Sequence, residues 1–120
     1  MANLKRNMIE LVKNVEEVQK GGEVELEKFW TPAFLPFSKV RQALQLQADM
    51  SEDEDSSELE MMEMLANFVA KEIYNDQFSV DDLYDRLHAP DALDALQSQL
   101  VFVAQGDQSE ETKKFLAKKG

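Results

Sequence analysis

The densest chemistry in the sequence is acidic. From Asp49 the chain reads DMSEDEDSSELE, and counting Asp49 as position one of a calcium loop puts Ser51, Asp53 and Asp55 at positions three, five and seven, with Glu60 at twelve. Position six requires glycine for its sharp turn and is Glu54; position eight should be apolar and is Ser56. The loop fails where its geometry is strictest. The run reads instead as a solvated acidic linker over residues 49–57, mobile because like charges repel along it.

His88 is the single histidine. On one continuous helix Asp81, Asp85 and His88 would share a face, an arrangement able to hold a divalent metal weakly. The simpler reading is electrostatic, with the aspartates at a helix start and His88 at its end, each matched to the helix dipole. The absence of cysteine removes disulfides, thiolate zinc sites and cysteine nucleophiles. No G-x-S-x-G elbow is present, and Gly21, Gly22, Gly106 and Gly120 form no phosphate-cradling loop. Met61, Met62 and Met64 fall at helical spacing, which suits a core better than an adaptable binding surface. The expectation is no catalytic residue, no metal and no cofactor, with a small metal-binding enzyme as the weakest alternative.

Charge is spread unevenly. Residues 1–50 carry seven basic and seven acidic side chains; residues 51–112 carry two basic and seventeen acidic, a net −15; the last eight add four lysines, giving −11 in all. Binding a phosphate backbone needs cations that displace condensed counterions, so the charge argues against a nucleic-acid partner and none is expected. Solubility explains the acid, and a basic partner surface is the other use for it. No run approaches the roughly 18 apolar residues of a membrane span, and the first twenty residues hold no continuous apolar stretch of a secretory signal. A soluble, cytoplasmic protein is expected, with no membrane partner.

One hundred and twenty residues make one domain with a single modest core. Leu4, Met8, Leu11, Val12, Val15 and Val18 fall on one stripe, predicting a helix over 3–20 that Gly21-Gly22 stops. Alternation at Val24 and Leu26 suits a short strand. A second helix is expected from Pro36, turning Phe37, Val40, Ala43 and Leu44 inward and fading near Ala48. Ser57 and Glu60 form a capping box for a third, with Leu59, Met62, Leu65, Ala66, Val69 and Ile73 buried, widened by Met61, Phe68 and Tyr74, ending at Asn75-Asp76. Ser79 caps a fourth that buries Val80, Leu83, Tyr84 and Leu87. Pro90 opens a fifth, whose stripe is Leu93, Leu96, Leu100 and Val103 before Gly106. The fold class is all-α: a bundle of about five helices in one domain over 1–106, with room for one short β element near residues 23–29. From Asp107 a polar tail, 107–120, is expected to be loose.

Two segments carry a resemblance. TPAFLPFSKVRQALQL, from Thr31, resembles the Thr-Pro, aromatic, then Val-Arg-x-Ala-Leu pattern of tail assembly chaperones from long-tailed (siphovirus-type) phages of Gram-positive bacteria. IYNDQFSVDDLYDRL, from Ile73, resembles the same family's aromatic-Ser/Thr-x-Asp-Asp-aliphatic segment, which opens its second helical half. The match spans about residues 25–105. Arg86 stands where the pattern leads one to expect glycine, and a helix is expected over residues 1–20 where relatives often begin with short β segments.

The resemblance implies a non-enzymatic protein that binds the hydrophobic tape-measure protein, keeps it soluble and helps recruit tail-tube protein. It implies action in the host cell cytoplasm, absence from the mature virion, and a longer form made by a ribosomal frameshift, for which Lys118-Lys119 or Lys113-Lys114 could mark the slippery codons. Such a chaperone needs an apolar surface for an amphipathic helix. Phe29, Trp30, Phe34 and Phe37 are the expected contributors, with Phe78 and Tyr84 next; core packing is the competing use for each. A homo-oligomer is another use for such a surface. Pro32 and Pro36 restrict the residues before them, so the loop that carries Phe34 should be stiff. The alternative function is a small acidic regulator that binds a basic, DNA-binding partner as a nucleic-acid mimic.

Overall fold

The first regular element of the described residues is a strand. The computed structural model describes residues 4–52 and 58–119. Strand β1 (Met8–Val12) pairs antiparallel with β2 (Leu26–Trp30), Met8 opposite Trp30 and Val12 opposite Leu26. Between them lies one short helix, α1 (Val15–Gln19). Asn14 holds this connection: its Oδ1 accepts from the Glu25 N–H at 2.9 Å and its Nδ2 donates to the Glu23 carbonyl at 2.7 Å.

The helix expected over 3–20 is thus corrected to strand, turn and a single helical turn. The alternation of Ile9 and Leu11, both buried, is satisfied by pairing with a strand some twenty residues on. The β-branched Ile9 and Val12 favour a strand over Met8–Val12. The short β element expected near 23–29 is present as β2. Six helices and this small sheet make the fold mostly helical among the described residues, and not a pure all-α bundle.

The remaining helices are α2 (Ser38–Glu52), α3 (Glu58–Asn67), α4 (Val80–Arg86), α5 (Ala89–Gln105) and α6 (Glu110–Lys119). Helix α3 continues as a π-helical turn over Phe68–Ile73, where the Tyr74 N–H reaches back five residues to the Val69 carbonyl. Asn75 and Asp76, at positive φ, end it, and the Asp76 N–H closes on the Ala70 carbonyl. Ser79 and Asp82 form a reciprocal capping box at 2.9 and 3.0 Å. The Ser79 backbone hydrogen bond, ahead of the Arg86 charge, holds the Asp82 carboxyl below the usual carboxylate range. Gly106 ends α5 in the left-handed region, and Pro90 sits in its first turn, both as the sequence indicates.

Helix α5 is the central element, packing Leu96, Leu100, Phe102 and Val103 against α2, α3, the π-helical turn and β1. The predicted stripes hold at Leu65, Ala66, Val69, Ile73 and Leu83. They fail at Phe37, Leu44, Leu59, Tyr84 and Leu93, which are exposed. On α2 the buried residues are Ala43 and Leu46, because the helix begins at Ser38 and leaves Phe37 outside it. Residues 49–52, expected in the linker, belong to α2; residues 53–57, with the expected cap at Ser57, lie outside the described residues.

The tail also differs from expectation. Residues 110–119 are helical, and Ser109 Oγ accepts from the Thr112 N–H as a cap for α6. The sheet is covered on both faces. Phe29 packs towards Phe78, whereas Trp30 meets Phe115 of α6 edge-on at 5.6 Å. Among the described residues no helix is long and apolar enough to cross a membrane.

Candidate partner-binding site

Thr31 roots the loop between β2 and α2. It is fully buried; its Oγ1 accepts from the Asn7 N–H at 3.1 Å, its N–H donates to the Asn7 carbonyl, and its carbonyl accepts from Arg6 Nε at 2.8 Å. Gln77 Nε2 fixes the preceding Trp30 carbonyl. From this anchored base the stiff segment bounded by Pro32 and Pro36 projects Phe34 and Phe37, which are 65% and 86% exposed. An exposed aromatic residue is ordinary singly; two beside one apolar hollow point to a contact surface.

That hollow is a groove of about 430 Å³ between the loop, α2 and the end of α5, lined chiefly by Leu4, Phe34, Leu35, Phe37, Val40 and Phe102. Its charged lining is basic: Lys5, whose Nζ donates to the Gly106 carbonyl, and Lys39, paired with Glu72 at 2.7 Å. Burying Phe37 against a partner would contribute about 1.5–3 kcal/mol. The groove is thus apolar, and both of its lysines are already engaged within the chain.

The six aromatics singled out in the sequence do not form one surface. Phe34 and Phe37 come together. Phe29 is half-buried against Phe78 at 5.0 Å, under the Arg86 guanidinium. Phe78 is buried and also touches Tyr74. Trp30 is half-buried between Arg6 and Phe115. Tyr84 lies half-exposed elsewhere, in a smaller groove with Leu93. Leu4, Val40 and Phe102 were missed as groove residues; Leu4 sat on the mistaken helical stripe, and Phe102 neighbours the stripe residue Val103.

Arg86, the departure from the family pattern, has a structural role. Its Nε donates to the Val12 carbonyl at 2.9 Å and its guanidinium pairs with Glu27 and Asp82, clamping α4 to the sheet. His88 is not at the end of the helix that carries Asp81 and Asp85; α4 stops at Arg86, and His88 occupies the position before α5 without a side-chain capping bond. Among the described residues no set of three or more His, Asp or Glu side chains could hold a metal ion. A hollow of about 740 Å³ between α5 and α6 is an open polar cleft containing Asp91, Asp94, Asp107 and Glu110.

A buried polar cluster joins Asn7, Thr31, Tyr74, Gln99, Ser109 and Thr112. Burial pushes the Tyr74 hydroxyl well above its ordinary value, and it donates to Gln99 Oε1 at 2.6 Å. Among the described residues every buried side-chain nitrogen and oxygen has a partner. The cluster is a satisfied structural network.

A family model described as phage tail chaperone protein matches residues 3–120, nearly the whole chain. No curated protein and no solved structure matches. The match covers the strand pair, the Phe34–Phe37 loop and all the helices, so the resemblance carried by the two short segments extends over the whole fold. The chain belongs to the phage tail chaperone protein family.

Proposed function

We propose that this chaperone binds the tape-measure protein of its phage through the Phe34–Phe37 groove. The groove receives an apolar helical face of that protein, and the acidic central half of the chain keeps the complex soluble. In this reading the protein works in the cytoplasm of a Gram-positive host and leaves before the virion is complete. A longer, frameshifted form recruits tail-tube subunits. The observation that carries the reading is the pair of exposed phenylalanines on a stiff, anchored loop beside an apolar groove.

The test is capture of overlapping tape-measure fragments by the full chain, wild type against Phe34→Ala and Phe37→Ala. Each substitution is expected to weaken capture at least tenfold, in line with about 1.5–3 kcal/mol for one buried phenylalanine. Capture by wild type should persist in high salt. Capture unaffected by both substitutions overturns the assignment, and capture abolished by salt alone favours the acidic-regulator alternative.

A further inference from the structure

Helix α6 is held by few contacts. Of its described side chains Thr112 alone is buried; Phe115 is half-buried, and Lys113, Lys114, Leu116 and Ala117 are exposed. It stands apart from α5 across the polar cleft, with Asp91 and Asp94 on one wall and Asp107 and Glu110 on the other. Like charges on the two walls repel, and Lys113 pairs with Glu110 inside α6 itself. A helix of ten residues is marginal in water by itself, so α6 is helical because it is docked. Gly106, in the left-handed region, and the three residues after it form the joint.

Release of α6 leaves the rest of the fold with bonds of its own. Asn7 keeps its pairing with Thr31 and its Nδ2 bond to Gln99, while Gln99 keeps the Met8 carbonyl and Tyr74. The groups that lose partners, the Met8 N–H and Asn7 Oδ1, are met by water once the helix is gone. What α6 covers is apolar. Strand pairing puts Met8 opposite Trp30 and Val12 opposite Leu26 on one sheet face, whereas Ile9 and Leu11 turn to the core. Met8 is 2% exposed and Trp30 lies under Phe115; Leu26, at the other end of the face, is 50% exposed. We propose that α6 is a strap that leaves the sheet as a unit while the strand pair and α2 to α5 stay folded. Its departure joins Met8 and Trp30 to Leu26 in one apolar face, with Arg6 and Lys28 beside it. The strap involves neither Phe34 nor Phe37, so it stands or falls apart from the tape-measure assignment.

The chain has no cysteine, so a single introduced thiol in the full chain reports the opening. Met8→Cys should react with a neutral thiol reagent at least about tenfold faster than Ile9→Cys, its neighbour on the core face. Adding Phe115→Ala should speed Met8→Cys about fivefold to thirtyfold. Ile73→Val, deep in the core, should speed Ile9→Cys about twofold to tenfold and leave Met8→Cys unchanged. Equal rates at the two positions, a Met8→Cys rate indifferent to Phe115→Ala, or an Ile73→Val effect on both thiols overturns the proposal. Circular dichroism checks that both thiol variants fold. If one does not, native-state hydrogen exchange of the wild type replaces them: residues 114–117 should exchange together and faster than residues 96–103, and a common rate overturns the strap.

Discussion

Thr112 shows how one hydroxyl ties distant parts of the chain together. Its Oγ1 accepts from the Met8 N–H at 3.0 Å and donates to Asn7 Oδ1 at 2.7 Å, which makes Ser109 Oγ the donor in their 2.8 Å contact. Thr112→Val keeps the shape and strands the Met8 N–H, so it should cost about 1–3 kcal/mol in urea denaturation. Tyr74→Phe leaves Gln99 Oε1 still bonded to Asn7 Nδ2 and should cost less, about 0.5–1.5 kcal/mol. Tyr74 also makes stability pH-dependent. Its native pKa is raised, whereas an unfolded tyrosine ionises near pH 10. Above about pH 10 the unfolded chain therefore binds fewer protons than the native one, and stability falls as pH rises. Tyr74→Phe should show a shallower alkaline decline than wild type; parallel declines would contradict this. Of the cluster only the burial of Tyr74 was legible in the sequence, because burial of Asn7 or Thr112 depends on partners about one hundred residues away.

Elements whose signals are local were legible. Ser79 and Asp82 cap α4, Pro90 and Gly106 bound α5, and the inward stripe of α5 is largely the one read from spacing. The first twenty residues were not, since Met8 and Leu11 fall on a helical stripe and serve equally as buried residues of a strand. The pairing with β2 decides between them, and pairing is a tertiary fact. Helix α6 was missed for a related reason: its sequence is polar, and what orders it is Thr112 at one end and Phe115 on Trp30 further along. Phe115→Ala should cost about 1–2 kcal/mol, part of the value of a fully buried aromatic. It should also shift Trp30 fluorescence to the red; an unchanged spectrum would mean that α6 does not cover that face.

At the scale of the molecule, shape and charge divide the work. The protein is flat, 44 × 42 × 22 Å, with a radius of gyration of 15.0 Å against about 13.6 Å for a compact chain of this length. A flat shape leaves apolar grooves on its surface, one with basic lining at Phe34 and Phe37 and one with an acidic rim at Tyr84 and Leu93. The aromatic loop was visible in the sequence as a candidate. Its separation from Phe29, Trp30, Phe78 and Tyr84 was not, because aromatics in one stretch of chain can face opposite sides of a sheet. Hydrogen exchange of the full chain with and without a captured tape-measure fragment tests the central claim most directly. Added protection should concentrate at residues 33–40 and 102–106, with the polar cleft between α5 and α6 unchanged; protection confined to that cleft, or absent from the loop, would contradict the account.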